Sequence, residues 1–170
     1  MGLFSINRIW RWKILFDTGF RKNTVLENAE SLKVDLSAVE HVFRSHNHLD
    51  HTGGLIRLRE TLMSINPKAM QYVHVGKGIF LERVSDGKNW NTFMGYKEKL
   101  LSLGVEFIYH ESREEILPNI CTSGLVPRYH NEKNWLGFRE MEINGESFLR
   151  YPRVHRGMPK TSKVSLRCNF

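Results

Sequence analysis

Cysteine is scarce in this chain of 170 residues. Cys121 and Cys168 are the only two, too few for a disulfide framework, so a reducing cytoplasm is the default compartment. No apolar run approaches the ~20 residues that span a bilayer. Arg8 and Arg11 interrupt the early apolar residues, which argues against a secretory leader. Met1-Gly2 opens like a myristoylation site, but Ile6 stands where Ser or Thr is required. There is no internal repeat and no low-complexity segment. Acid is missing from both ends. Residues 1–16 carry Arg8, Arg11 and Lys13, residues 150–170 carry six Lys or Arg, and neither stretch has an Asp or Glu. The 16 basic residues of 17–149 face all 18 acidic ones, so the net charge of +7 belongs to the ends. That placement argues against a nucleic-acid-binding body. It reads residues 149–170 as a basic tail, solvated or disordered, rather than a nucleic-acid arm.

The length fits one domain with a real core. Lys13-Ile14-Leu15-Phe16 reads as a buried strand running into the loop Asp17-Thr18-Gly19. Thr24 and Glu27 fit a capping box for a helix with Val25, Ala29 and Leu32 on one face. Strands are expected over Val39–Ser45, Met70–Val75, Val105–Tyr109 and Ile120–Val126. Leu55, Leu58 and Leu62 mark a second helix, opened by Gly53-Gly54 and ended at Asn66-Pro67, and Tyr96–Leu103 marks a third. Alternating strands and helices indicate an α/β layered domain. Phe80, Trp90 and Phe93, in the glycine-bearing stretch 76–97, suit either a flap over a site or a connection with core anchors.

The densest chemistry is His46-Asn47-His48-Leu49-Asp50-His51, followed by Thr52-Gly53-Gly54. Imidazole nitrogen and carboxylate oxygen suit zinc, iron or manganese. In an extended segment residues i and i+2 point the same way, so His46 and His48 can share one ion. Asp50 and His51 follow at the turn, within reach of a second. Two ions roughly 3.5–4 Å apart can clamp both oxygens of a hydrolysis. The motif sits between a strand and a helix whose N-terminus favours anionic groups.

These residues resemble a known superfamily. Lys13–Gly19, Asn28-Ala29, Val34–Ser37 and Ser45–Gly54 are similar to the metallo-β-lactamase fold superfamily. The nearer resemblance is to its branch of small metallo-hydrolases that includes the dihydropterin ribofuranosylaminobenzene 5′-phosphate synthases. Val73-His74, Met94-Gly95 and Thr122–Arg128 follow in that branch's order, and the resemblance covers about 13–132. It implies an αβ/βα sandwich with metals at one edge of the sheets. His46 and His48 then serve one metal, and Asp50 and His51 the other. Asp50 also counts as the catalytic residue, and Asp17 supports the metal loop from behind. The implied cofactor is one or two Zn²⁺ ions, with Mn²⁺ or Fe²⁺ as alternatives. The implied chemistry is attack by a metal-bound hydroxide on a small ester, lactone or phosphorylated substrate.

The chain departs from the branch after Arg128, where no Gly-Cys-Ser-His run supplies the third histidine. His130 is the best spare ligand; His155, His74, His110 and His41 suit structural or surface roles better, as Cys121 suits the core. The expectation is therefore an incomplete sandwich: a partial domain over 1–148, comprising the N-terminal half and part of the second, then the tail. Two rival readings follow, a truncated non-catalytic remnant with half a metal site and, less in keeping with the near-neutral body, a nuclease of the same superfamily.

Overall fold

Two antiparallel strands open the sheet, β1 (Ser5–Ile9) and β2 (Trp12–Phe16), with Ser5 opposite Phe16. The computed structural model describes residues 5–9, 12–85, 87–124, 140–143, 146–149 and 166–168, with side chains described over 12–84 and 87–124. Helix α1 (Thr24–Ser31) returns the chain to β3 (His41–Phe43), which lies parallel to β2. A one-turn helix, α2 (Leu49–Thr52), and then α3 (Leu55–Leu62) lead to β4 (Tyr72–Gly76), parallel to β3. A two-residue hairpin, β5 (Val84–Ser85) and β6 (Lys88–Asn89), precedes a 3₁₀ turn over Thr92–Tyr96 and helix α4 (Lys97–Ser102). Then β7 (Glu106–His110) adds in parallel to β4, giving the order β1-β2-β3-β4-β7.

Period-2 alternation divides this sheet into two buried faces. Leu15, Val42, Val73 and Val75 pack under the helices, against Val25, Ala29, Leu55, Leu58, Leu62 and Leu100. Ile14 and Phe43 point the other way. They meet Leu117 and Ile120 from the second-layer strands β8 (Glu114–Leu117) and β9 (Ile120–Thr122). Strands β10 (Glu140–Ile143) and β11 (Glu146–Leu149) pair with each other, and β10 pairs with β5. Strand β12 (Leu166–Cys168) pairs antiparallel with β9. Among the described residues no helix is long and apolar enough to cross a membrane.

Several local expectations change. Thr24 is the first residue of α1 rather than its cap: Asn23 is the N-cap and no side chain caps the helix. The metal motif is not wholly loop, because Asp50 and His51 lie in α2. Phe93 is fully buried and stacks on Phe80, while Phe80 sits edge-on to Phe107, so these two rings anchor the 76–97 segment in the core. His74 lies inside β4, and His41 begins β3. The strand at 120 is described only to Thr122. His130, His155 and Pro127-Arg128 lie outside the described residues.

Candidate metal centre

Parallel pairing of β2 and β3 brings their C-terminal ends to one edge of the sheet. Asp17 leaves the end of β2 there, and Arg44 to His51 leave the end of β3. Asp17 is only 2% exposed and holds φ at +59°, a left-handed conformation that Asp tolerates better than most residues. Its N–H donates to the Phe43 carbonyl at 2.9 Å, which fixes the carboxylate under the metal loop.

That carboxylate organises the loop. Oδ1 accepts the Ser45 N–H at 2.9 Å, and Oδ2 accepts the Ser45 hydroxyl at 2.6 Å. Oδ2 also lies 2.6 Å from Nδ1 of His51. An ionised carboxylate only accepts, so His51 carries its proton on Nδ1 and turns Nε2 towards Asp50, whose Oδ2 is 3.4 Å away. Thr18 holds the same histidine from its backbone: its N–H and hydroxyl donate to the His51 carbonyl at 2.7 and 3.0 Å. Ser45 Oγ is also 2.9 Å from His46 Nδ1.

The two glycines after the motif are required by close approach, not by unusual dihedrals. A Cβ at Gly53 would stand 1.9 Å from the Phe20 carbonyl oxygen, and one at Gly54 would stand 2.4 Å from that of Thr18. The loop 17–20 thus lies directly on the turn that follows the motif.

Behind Asp17 lies Arg44, with no exposed surface. Its Nη1 is 3.6 Å from Asp17 Oδ1 and donates to Thr18 Oγ1 at 3.2 Å, and its guanidinium lies over the Phe93 ring at 5.6 Å. Burial lowers its pKa to about 10, opposed by the Asp17 carboxylate, so it stays a cation at neutral pH. Arg44, Ser45 and Thr18 were not legible as site residues in the sequence. The available signals were an arginine directly after the apolar pair Val42-Phe43, and the place of Thr18 and Ser45 within the stretches that carry the family resemblance.

His46, Asp50 and His51 are brought together: one donor atom from each lies within 4.8 Å of the others. The His46 and His51 rings are 4.1 Å apart between centroids. His48 is exposed and outside this group, although its ring meets that of His46 edge-on at 4.6 Å. Two imidazoles and a carboxylate make a donor set that divalent transition metals accept. The Asp17–His51 pair is the carboxylate–histidine arrangement that raises ligand basicity and fixes ring orientation. The donors present therefore fit a metal ion.

The β-lactamase superfamily domain matches residues 12–147, most of the chain. The chain belongs to this family. It is 27% identical over 116 residues to the 7,8-dihydropterin-6-methyl-4-(β-D-ribofuranosyl)-aminobenzene-5′-phosphate synthase of Methanocaldococcus jannaschii. That match takes in 67% of this chain and 38% of the relative. The fold matches the crystal structure of Tm1679, a metal-dependent hydrolase of the β-lactamase superfamily, with a TM-score of 0.58 and 24% identity. That likeness covers 90% of this chain and 50% of the other, so the chain spans half or less of either protein's length. The fold is thus metallo-β-lactamase-like, and a His/Asp/His group stands where the family motif lies.

Proposed function

We propose that the chain carries the metal centre of a cytoplasmic hydrolase acting on a small ester, lactone or phosphorylated substrate. His46, Asp50 and His51 hold the ion, and His48 joins them or serves a second ion. The observation that carries this reading is the convergence of three donors on one point beside a buried carboxylate that orients one of them. Three protein ligands with one position left open is the ligand count of catalytic zinc, so zinc is the first choice, with manganese and iron as alternatives.

A bound divalent cation supplies Lewis acidity and brings water's pKa close to neutrality. The protein's own contribution is positioning. Asp17 keeps the His51 proton on Nδ1, Thr18 holds the His51 backbone, and Arg44 compensates the Asp17 charge within the core. Asp50 has 47% of its side chain exposed, so it faces the side from which substrate arrives and is the candidate proton acceptor there. The near-neutral body around the motif favours small molecules over nucleic acid.

The test is turnover with zinc or manganese on a panel of aryl esters, lactones and phosphodiesters. Metal-stimulated hydrolysis that His51→Ala abolishes is the expected result. Tight metal binding with no turnover across the panel would remove the catalytic claim and leave a metal-binding domain. A nuclease would instead reveal itself by strongly salt-dependent RNA or DNA binding.

A further inference from the structure

Three histidines outside the metal motif are joined in a row across the sheet. His41 on β3, His74 on β4 and His110 on β7 lie diagonally over three neighbouring strands, on the face opposite the helices. Nδ1 of His41 is 2.9 Å from Nε2 of His74, and Nδ1 of His74 is 2.9 Å from Nε2 of His110. Nδ1 of His110 ends the row 2.6 Å from Oε1 of Glu114. The rings are held by stacking: His74 between Phe43 and His110, and His41 on Tyr72. His74 and His110 are buried, while the Glu114 side chain is about half exposed.

This geometry is not that of a metal site. Four of its six ring nitrogens face one another in two pairs, and a fifth faces a carboxylate, rather than converging on a point. It does fix the protons. An ionised Glu114 accepts from His110, so His110 carries Nδ1–H and offers a bare Nε2. That nitrogen accepts from His74, and His74 in turn accepts from His41. All three rings are therefore Nδ1–H tautomers, and the lone pair of His41 Nε2 ends the row.

We propose that His41, His74, His110 and Glu114 form a proton relay running from Nε2 of His41 to the Glu114 carboxylate. A proton donated by a solvent acid binds His41 Nε2, and the Nδ1 proton of His41 passes to His74 Nε2. The Nδ1 proton of His74 passes to His110 Nε2, and that of His110 passes to Glu114, which returns it to water. Each ring changes tautomer and His74 is neutral before and after. That matters because burial, with His41 and His110 alongside, lowers its pKa to about 3. The charged and titratable groups around the row are few. Glu40 precedes His41 and favours its protonated form against the effect of burial, and Tyr72 covers it. Lys77 and Glu111, beside His110, pair with each other at 2.9 Å.

The test is the tautomer state of each histidine, read by long-range ¹H–¹⁵N correlation in ¹⁵N-histidine-labelled protein at neutral pH. Wild type should show Nδ1–H at His41, His74 and His110. Glu114→Ala should move all three towards Nε2–H, although only His110 touches the altered side chain. Glu114→Gln, whose amide oxygen still accepts, should keep the wild-type tautomers and shift protonation of His41 to lower pH. An Nε2–H form at any of the three rings in wild type would overturn the relay. So would a Glu114→Ala effect confined to His110, or a Glu114→Gln protein in which His41 titrates as before. Thermal unfolding of each variant accompanies the spectra; if Glu114→Ala does not fold, the wild-type tautomers and Glu114→Gln decide.

Discussion

Acid should destabilise this protein through His74, and the size of the effect can be worked out. The ring is 1% exposed and is held neutral in the fold, because burial, with His41 and His110 alongside, lowers its pKa from the ordinary 6.5 to about 3. The unfolded chain therefore binds a proton that the native state refuses. A native pKa below the unfolded one costs stability as pH falls: nothing above about pH 6.5, then a growing loss down to about pH 3. At about pH 5 the unfolded ring is mostly charged and the native ring is not. At ~1.4 kcal/mol per pH unit the loss there is about 2 kcal/mol. That is a large part of the roughly 5–15 kcal/mol that holds a domain together. The comparison is with His74→Gln, which keeps a polar group but cannot ionise. Urea unfolding of both metal-free proteins at neutral pH and near pH 5 isolates the ring, because protonation of the metal-site histidines cancels between them. Wild type should lose about 2 kcal/mol more than the variant, a midpoint shift of roughly 1 M urea for a typical slope. Equal losses in the two proteins would mean that His74 is not held neutral in the fold.

Three further outcomes follow from the metal loop. Asp17→Asn removes the carboxylate that fixes the His51 proton, and zinc affinity measured by chelator competition should fall by roughly 10- to 100-fold. Gly53→Ala forces a Cβ against the Phe20 carbonyl, so stability measured by denaturant should drop by about 1–3 kcal/mol, whereas Gly87→Ala, with nothing within 4 Å of the added atom, should not lose stability to a clash. Arg44→Leu strips the buried Asp17 of its counter-charge and should cost about 3–5 kcal/mol in the same assay.

Much of this arrangement was legible in the sequence. The apolar run at Ile14–Phe16 and the Leu55, Leu58, Leu62 spacing are strong periodic signals, and both elements form where those signals lie. The motif from His46 to His51 is local in sequence, so its density was visible without a fold. What joins residues across strands was not. Asp17 was placed behind the metal loop by family resemblance alone, yet its grip on Ser45 and His51 depends on the register of β2 and β3. The same holds for His41, His74 and His110. Taken singly each is an ordinary strand histidine; only the order β3-β4-β7 lines them up. Thr24 and Glu27 show the opposite failure, a local capping pattern overridden when α1 begins one residue early with Asn23 as its cap.

His46, Asp50 and His51 converge as the proposed holders of a metal ion, with Asp17 behind them. Zinc titration of the purified, metal-free protein against a competing chelator tests it most directly. Binding should be saturable, with at least one ion per chain, lost in His51→Ala and weakened in Asp17→Asn while both variants remain folded. No saturable binding, or binding that His51→Ala leaves unchanged, would contradict it.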